Sequence, residues 1–173
     1  MQGILNISLN TIKSNWIALN NASFGKAAAV IKANAYGLGM NKIANALIEA
    51  GCNYFYVANL NEALELRRQK TSSKISIAVF EGFFEGSELT YLNNNLIPII
   101  NNLNQLKRLN DLNVVNKNNQ SIKAILNIDT GMNRLGLSSE EIDFVLKNKS
   151  ILENIRWEFI MSHLANANDV ANK

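Results

Sequence analysis

Strand-like and helix-like stretches alternate from one end of the chain to the other with short connections, and this limits the fold to a parallel sheet covered by helices. Residues 8–20 place Leu9, Ile12, Trp16 and Leu19 on one face at helical spacing. Residues 27–33 read as a strand. Ile43, Ala44, Leu47 and Ile48 then give a helix that Gly51 caps. Strands are expected at 54–59, 75–80, 97–100, 122–128 and 155–163, with helices from Asn61, over 86–94 and from about 102. Ser138 with Glu141 three residues later forms a capping box, and Ile142, Val145 and Leu146 continue that helix. Early Glu62 and Glu65 and late Arg67, Arg68 and Lys70 complement the dipole of the helix that starts near Asn61.

An open doubly wound sheet and a (β/α)-barrel both satisfy this pattern, and periodicity does not separate them. No linker interrupts it, so residues 1–173 are expected to belong to a single domain, with the Asn-rich stretch 113–120 as a loop. Pro98 falls inside an expected strand, where it removes a ladder donor.

Composition removes several classes. A chain of 173 residues that is 47% hydrophobic and 18% charged can bury a core of its own. Its net charge of +3 carries no block of like charges, which argues against a nucleic-acid partner. No apolar run approaches the roughly 18 residues of a membrane span, and the N-terminus lacks the pattern of a signal peptide. The single cysteine, Cys52, cannot form an internal disulfide and reads as a small buried residue in a reducing cytoplasm. No metal-ligand set is expected.

Three segments carry polar chemistry at strand-to-helix junctions. In Val30-Ile31-Lys32-Ala33-Asn34-Ala35-Tyr36-Gly37-Leu38-Gly39, a lysine closes an apolar run and a Gly-rich turn follows. A desolvated lysine amine suits Schiff-base chemistry. Tyr36 adds a hydroxyl donor, and Gly37 and Gly39 allow a tight turn. The same spacing also resembles the first turn of a dinucleotide site, but Lys42 stands where a third glycine belongs. A strand-end lysine in solvent is the plainest alternative.

Asn127-Ile128-Asp129-Thr130-Gly131-Met132-Asn133-Arg134-Leu135-Gly136 follows a strand and precedes the capped helix. Asp129 and Thr130 can tie down the turn, and the planar fork of Arg134 suits a carboxylate. A surface pair of Arg134 with Glu140 or Glu141 is the alternative. Met161-Ser162-His163-Leu164-Ala165, with Asp169 beyond, ends the last strand, and a lone histidine there is either a packed residue or a planar ring for stacking.

Taken together, these segments resemble the bacterial alanine racemases. Lys32-Ala33-Asn34-Ala35-Tyr36-Gly37 is similar to that family's cofactor-attachment site, Asp129-Thr130-Gly131-Met132-Asn133-Arg134-Leu135-Gly136 to its second signature, and Ser162-His163-Leu164-Ala165 to its third. Tyr56-Val57-Ala58 and Asn61-Glu62-Ala63-Leu64-Glu65-Leu66-Arg67 extend the likeness over most of the chain. Two departures stand out. Leu38 replaces a histidine of many members, and Asn127 replaces a carbamylated lysine whose charge would hold Arg134.

The resemblance implies an eight-stranded (β/α)-barrel of the TIM type, of which this chain holds about six strands. It implies pyridoxal 5'-phosphate as cofactor and interconversion of L- and D-alanine for peptidoglycan as the activity. Lys32 would hold the cofactor and serve as the base on the D-alanine face. Tyr36 would bind its phosphate, His163 would pack on its pyridine ring, and Arg134 would bind the substrate carboxylate. Family members carry a C-terminal β-domain and form homodimers, and both that domain and the tyrosine base supplied by the partner subunit are absent from this chain. The chain alone is therefore expected to have little or no racemase activity. A non-enzymatic cofactor-binding module, or another pyridoxal-phosphate barrel enzyme such as a decarboxylase or a broad-specificity amino-acid racemase, remains as an alternative.

Overall fold

In the computed structural model, residues 3–69, 74–115 and 122–167 are described. Most of the Asn-rich stretch 113–120, together with Lys70 and Asp169, lies outside them. The chain divides into two compact units, Met1–Phe80 and Glu81–Lys173.

The first unit opens with α1 (Leu9–Ala22), which Ser8 caps by accepting the Thr11 N–H. Strand β1 (Ala29–Val30) follows, then a single helical turn α2 (Lys32–Tyr36) and helix α3 (Met40–Glu49). Strand β2 (Tyr54–Val57), helix α4 (Leu60–Arg67) and strand β3 (Ser76–Val79) complete it. Its strands are parallel, β2 lying between β1 and β3. Phe55, Val57, Ile77 and Val79 are wholly buried, with Ala44, Ala63 and Leu66 from α3 and α4. On α3 the buried Met40, Ile43, Ala44 and Leu47 recur every three to four positions, as a helix that covers a sheet requires.

The second unit contains α5 (Glu88–Asn93), β4 (Leu96–Ile100), α6 (Leu103–Val115), β5 (Lys123–Ile128), α7 (Ser139–Lys147) and β6 (Arg156–Ser162). β5 is parallel to both β4 and β6. Every residue of β4 is buried, including Pro98. The capping box of α7 forms as its spacing dictates: Glu141 N–H donates to Ser138 Oγ, and Ser138 N–H donates to Glu141. Cys52 is buried and donates weakly to the Tyr54 carbonyl, and burial pushes its thiol up.

One expected element is shorter than its apolar run suggests. The strand read over 27–33 spans only Ala29–Val30, because the chain leaves the sheet after Ile31, whose N–H still donates to the Tyr56 carbonyl. Lys32 is therefore the first residue of a helical turn rather than the last of a strand. Gly51 does act at the end of α3, with φ +102 and its N–H donating to the Ile48 carbonyl. Among the described residues, no helix is long and apolar enough to cross a membrane.

Candidate active site

Lys32 stands just beyond β1, at the start of an unusual piece of backbone. Ala33, Asn34, Ala35 and Tyr36 all have φ between 52° and 53°, a full turn of left-handed helix built from residues other than glycine. Each such residue costs about 1–2 kcal/mol, because its Cβ crowds the following carbonyl. The turn persists because its polar groups are held on several sides. Ala35 N–H donates to the Ile31 carbonyl at 2.8 Å, and Met40 N–H donates to Asn34 Oδ1 at 2.8 Å. Gly39 N–H donates to the Asn34 carbonyl, and Ala33 N–H donates to Glu62 Oε1 at 2.7 Å. Gly37 and Gly39, with φ of +86 and +95, carry the chain out of the turn into α3.

The Lys32 ammonium lies over the Phe80 ring, 5.3 Å from its centre. Tyr56 stacks on Phe80 with ring centres 5.4 Å apart and planes 28° apart, and Tyr54 packs beside Tyr56. Burial raises the Tyr56 hydroxyl above its usual range, which keeps that phenol neutral. Lys32 makes no ion pair among the described residues, so its amine is supported by the Phe80 face rather than held by a carboxylate. Tyr36 ends the left-handed turn and is 64% exposed.

In the second unit, Arg134 and His163 both follow C-terminal strand ends. Arg134 lies in the loop after β5, and His163 directly after β6. Asp129 closes that loop by accepting the N–H groups of Gly131 at 2.9 Å and Asn133 at 3.1 Å. Those two bonds hold its carboxyl below the ordinary carboxylate range. The loop returns on itself, with Leu137 N–H donating to the Asn127 carbonyl and Asp129 N–H to the Leu137 carbonyl. Gly136 permits that return, since a Cβ there would lie 2.5 Å from Asp129 N.

The Thr130 hydroxyl approaches the His163 carbonyl at 3.5 Å, and Met132, Ser162, His163 and Leu164 line one open depression. The Arg134 loop and the His163 segment are thus neighbours. Arg134 is exposed and forms no ion pair with Glu140 or Glu141, which are engaged by Ser138 and by the Leu103 N–H. Asn127 points inward and is buried. Its Nδ2 donates to Asn101 Oδ1, while its own Oδ1 has no partner among the described residues.

Two contributors escaped the sequence reading. The charge pattern explains Glu62 by the dipole of its own helix, yet its carboxylate also reaches the Lys32 turn. Phe80 was read only as the end of a strand, and it supplies the ring beneath Lys32. Neither role leaves a local pattern, because each partner lies on a separate strand or helix.

Six strands alternating with helices define the chain as part of a (β/α)-barrel protein. A family model, alanine racemase N-terminal domain, matches residues 7–173, and the chain belongs to that family. It is 37% identical over 167 residues to the alanine racemase of Rickettsia rickettsii, covering 96% of this chain and 46% of that protein. The alanine racemase of Brucella ovis is 37% identical over 171 residues, covering 98% of this chain and 42% of that one. Among solved structures, the alanine racemase of Bartonella henselae with covalently bound pyridoxal phosphate superposes with a TM-score of 0.89 at 36% identity, over 96% of this chain and 48% of that one. The chain thus spans about half the length of the relatives it matches.

Proposed function

We propose that residues 1–173 are the N-terminal part of the barrel domain of a pyridoxal-phosphate-dependent alanine racemase, in which Lys32 carries the cofactor. The observation that carries this reading is the Lys32 amine, held at a clamped left-handed turn over an aromatic ring and outside any ion pair among the described residues. The donor set suits the cofactor. Lys32 supplies an amine for its aldehyde, Tyr36 a hydroxyl for its phosphate, and His163 a flat ring for its pyridine face. The covalently bound pyridoxal phosphate of the Bartonella henselae relative supports this assignment.

When bound, pyridoxal phosphate supplies an electron sink for negative charge at the substrate α-carbon. The remaining work falls to the chain itself. Arg134 binds the carboxylate of the amino acid through its two-pronged guanidinium. Lys32 Nζ, once free, takes or returns the α-proton on one face of the substrate. A base on the opposite face is supplied from outside this chain, by the partner subunit of a homodimer as the family implies. Cytoplasmic location and alanine as substrate belong to the same proposal.

The test is borohydride reduction of the purified chain after incubation with pyridoxal phosphate, followed by peptide mass mapping and a Lys32→Ala control. A pyridoxyl adduct confined to Lys32 is expected. Labelling spread over surface lysines and unchanged in the control would overturn the reading. Racemisation by this chain alone is expected to fall far below the roughly 1 per second of ordinary enzymes, because two bases that act as a unit are strongly non-additive.

A further inference from the structure

One carboxylate joins the backbone of the amine to the strand that supports it. Glu62 Oε1 accepts the Ala33 N–H at 2.7 Å, and Glu62 Oε2 accepts the Ala58 N–H at 2.7 Å. Ala33 follows Lys32 directly, and Ala58 follows the last residue of β2. The carboxylate is itself fixed, since Glu62 is the third residue of α4 and its own N–H donates to Asn59 Oδ1 at 3.0 Å.

The consequence for Lys32 comes from peptide geometry. The N–H of Ala33 lies in the same rigid plane as the Cα of Lys32. Holding that N–H with a short, charge-assisted bond therefore fixes the plane from which the lysine side chain leaves. The second bond acts on the peptide that joins Val57 to Ala58. Val57 accepts the Phe80 N–H at 3.0 Å, and the neighbouring Tyr56 stacks on Phe80. The backbone under Lys32 and the ring over which its amine lies are thus referred to a single side chain. Ala33 is also the first of the left-handed residues, the point where the unfavourable backbone begins.

We propose that Glu62 is a positioning residue for Lys32: it holds the left-handed turn in register with the Tyr56–Phe80 platform and so aims the amine. This rests on the reading of Lys32 as the cofactor-bearing amine. Glu62 touches neither the amine nor any substrate; it acts through the backbone.

Three variants separate this role from a general effect on folding. Glu62→Ala removes both acceptors, Glu62→Gln keeps one acceptor oxygen, and Asn59→Ala weakens the start of α4 while leaving the carboxylate. The rate of borohydride-trapped pyridoxyl adduct at Lys32 is compared with that at all other lysines, and amide hydrogen exchange is followed over residues 31–37. Misplacing a reacting group is costly, so Glu62→Ala is expected to slow trapping at Lys32 by about tenfold or more. Labelling at other lysines stays unchanged, and exchange over 31–37 rises. Glu62→Gln falls between, and Asn59→Ala, which loosens the carboxylate without removing either acceptor, loses less than Glu62→Ala. Equal losses in Asn59→Ala and Glu62→Ala would overturn the proposal, as would unchanged trapping and exchange in Glu62→Ala. If the parent chain forms no Lys32 adduct, the cofactor reading fails by itself, and exchange over 31–37 alone then decides whether Glu62 holds the turn.

Discussion

Asn127 Nδ2 donates to Asn101 Oδ1 at 2.8 Å, which links the C-terminal ends of β5 and β4 by a buried amide pair. Asn101 in turn donates from Nδ2 to the Ile99 carbonyl, and its N–H is accepted by Gln105 Oε1. The pair lies at the base of the Arg134 loop, where the Asn127 carbonyl also accepts the Leu137 N–H. Replacing Asn101 by Leu leaves the Asn127 amide without its acceptor, and an unmet buried donor costs about 1–3 kcal/mol. We expect that loss in urea unfolding of Asn101→Leu, and a smaller loss in the Asn101→Leu/Asn127→Leu double variant, because apolar groups then replace both partners. Additive losses would show that the two amides do not act together.

Gly136 is held at φ +117 against the backbone of residues 128 and 129, so an added methyl group meets both strain and overlap. Gly136→Ala is expected to destabilise the second unit by about 1–3 kcal/mol. A urea midpoint equal to that of the parent would mean that the loop adapts without cost.

The ionised Asp129 carboxylate accepts two N–H bonds, from Gly131 first and then Asn133, and its value lies below the ordinary 3.8. A depressed carboxyl contributes stability above the unfolded value and loses it as pH falls through the folded one. Protection of the 129–136 amides should therefore hold at neutral pH and decline only below about 3.8. Asp129→Asn should flatten that decline. Identical protection profiles for the two proteins between neutral and strongly acid pH would contradict the assignment.

Ile160 and Phe159 on β6 are 69% and 50% exposed, and among the described residues β6 pairs only with β5. Exposed apolar residues that no described element covers promote association. Ile160→Lys is expected to reduce concentration-dependent self-association in sedimentation velocity, with the circular dichroism spectrum unchanged. Association undiminished by the charge would place the sticky surface elsewhere.

Features encoded within one turn of chain were legible in the sequence. The Ser138–Glu141 capping box needs only residues three apart, and the helical faces of α3 and α7 follow from spacing alone. The order of strands and helices was legible for the same reason. What escaped was whatever depends on a distant partner. The run Ala-Val-Ile-Lys-Ala looks like continuous strand, yet the sheet ends at Val30, because residues 33–36 coil left-handed and are held there by Glu62 and Met40. No local propensity favours that coil in alanine or tyrosine. Asn127 was recognised as a departure from a charged residue, but its bond to Asn101 could be found only once β4 and β5 were paired.

The left-handed turn also reverses the ordinary logic of scanning mutagenesis. Across most helices alanine is the neutral probe and glycine the disruptive one. At Ala33 and Ala35 the native residue is already alanine, in a backbone that only glycine adopts without penalty. An alanine scan would be silent at both positions, whereas glycine there lowers the native strain while loosening the unfolded chain. Whatever Lys32 gains from its rigid surroundings, this segment is where a more relaxed sequence and a better-aimed amine pull in opposite directions.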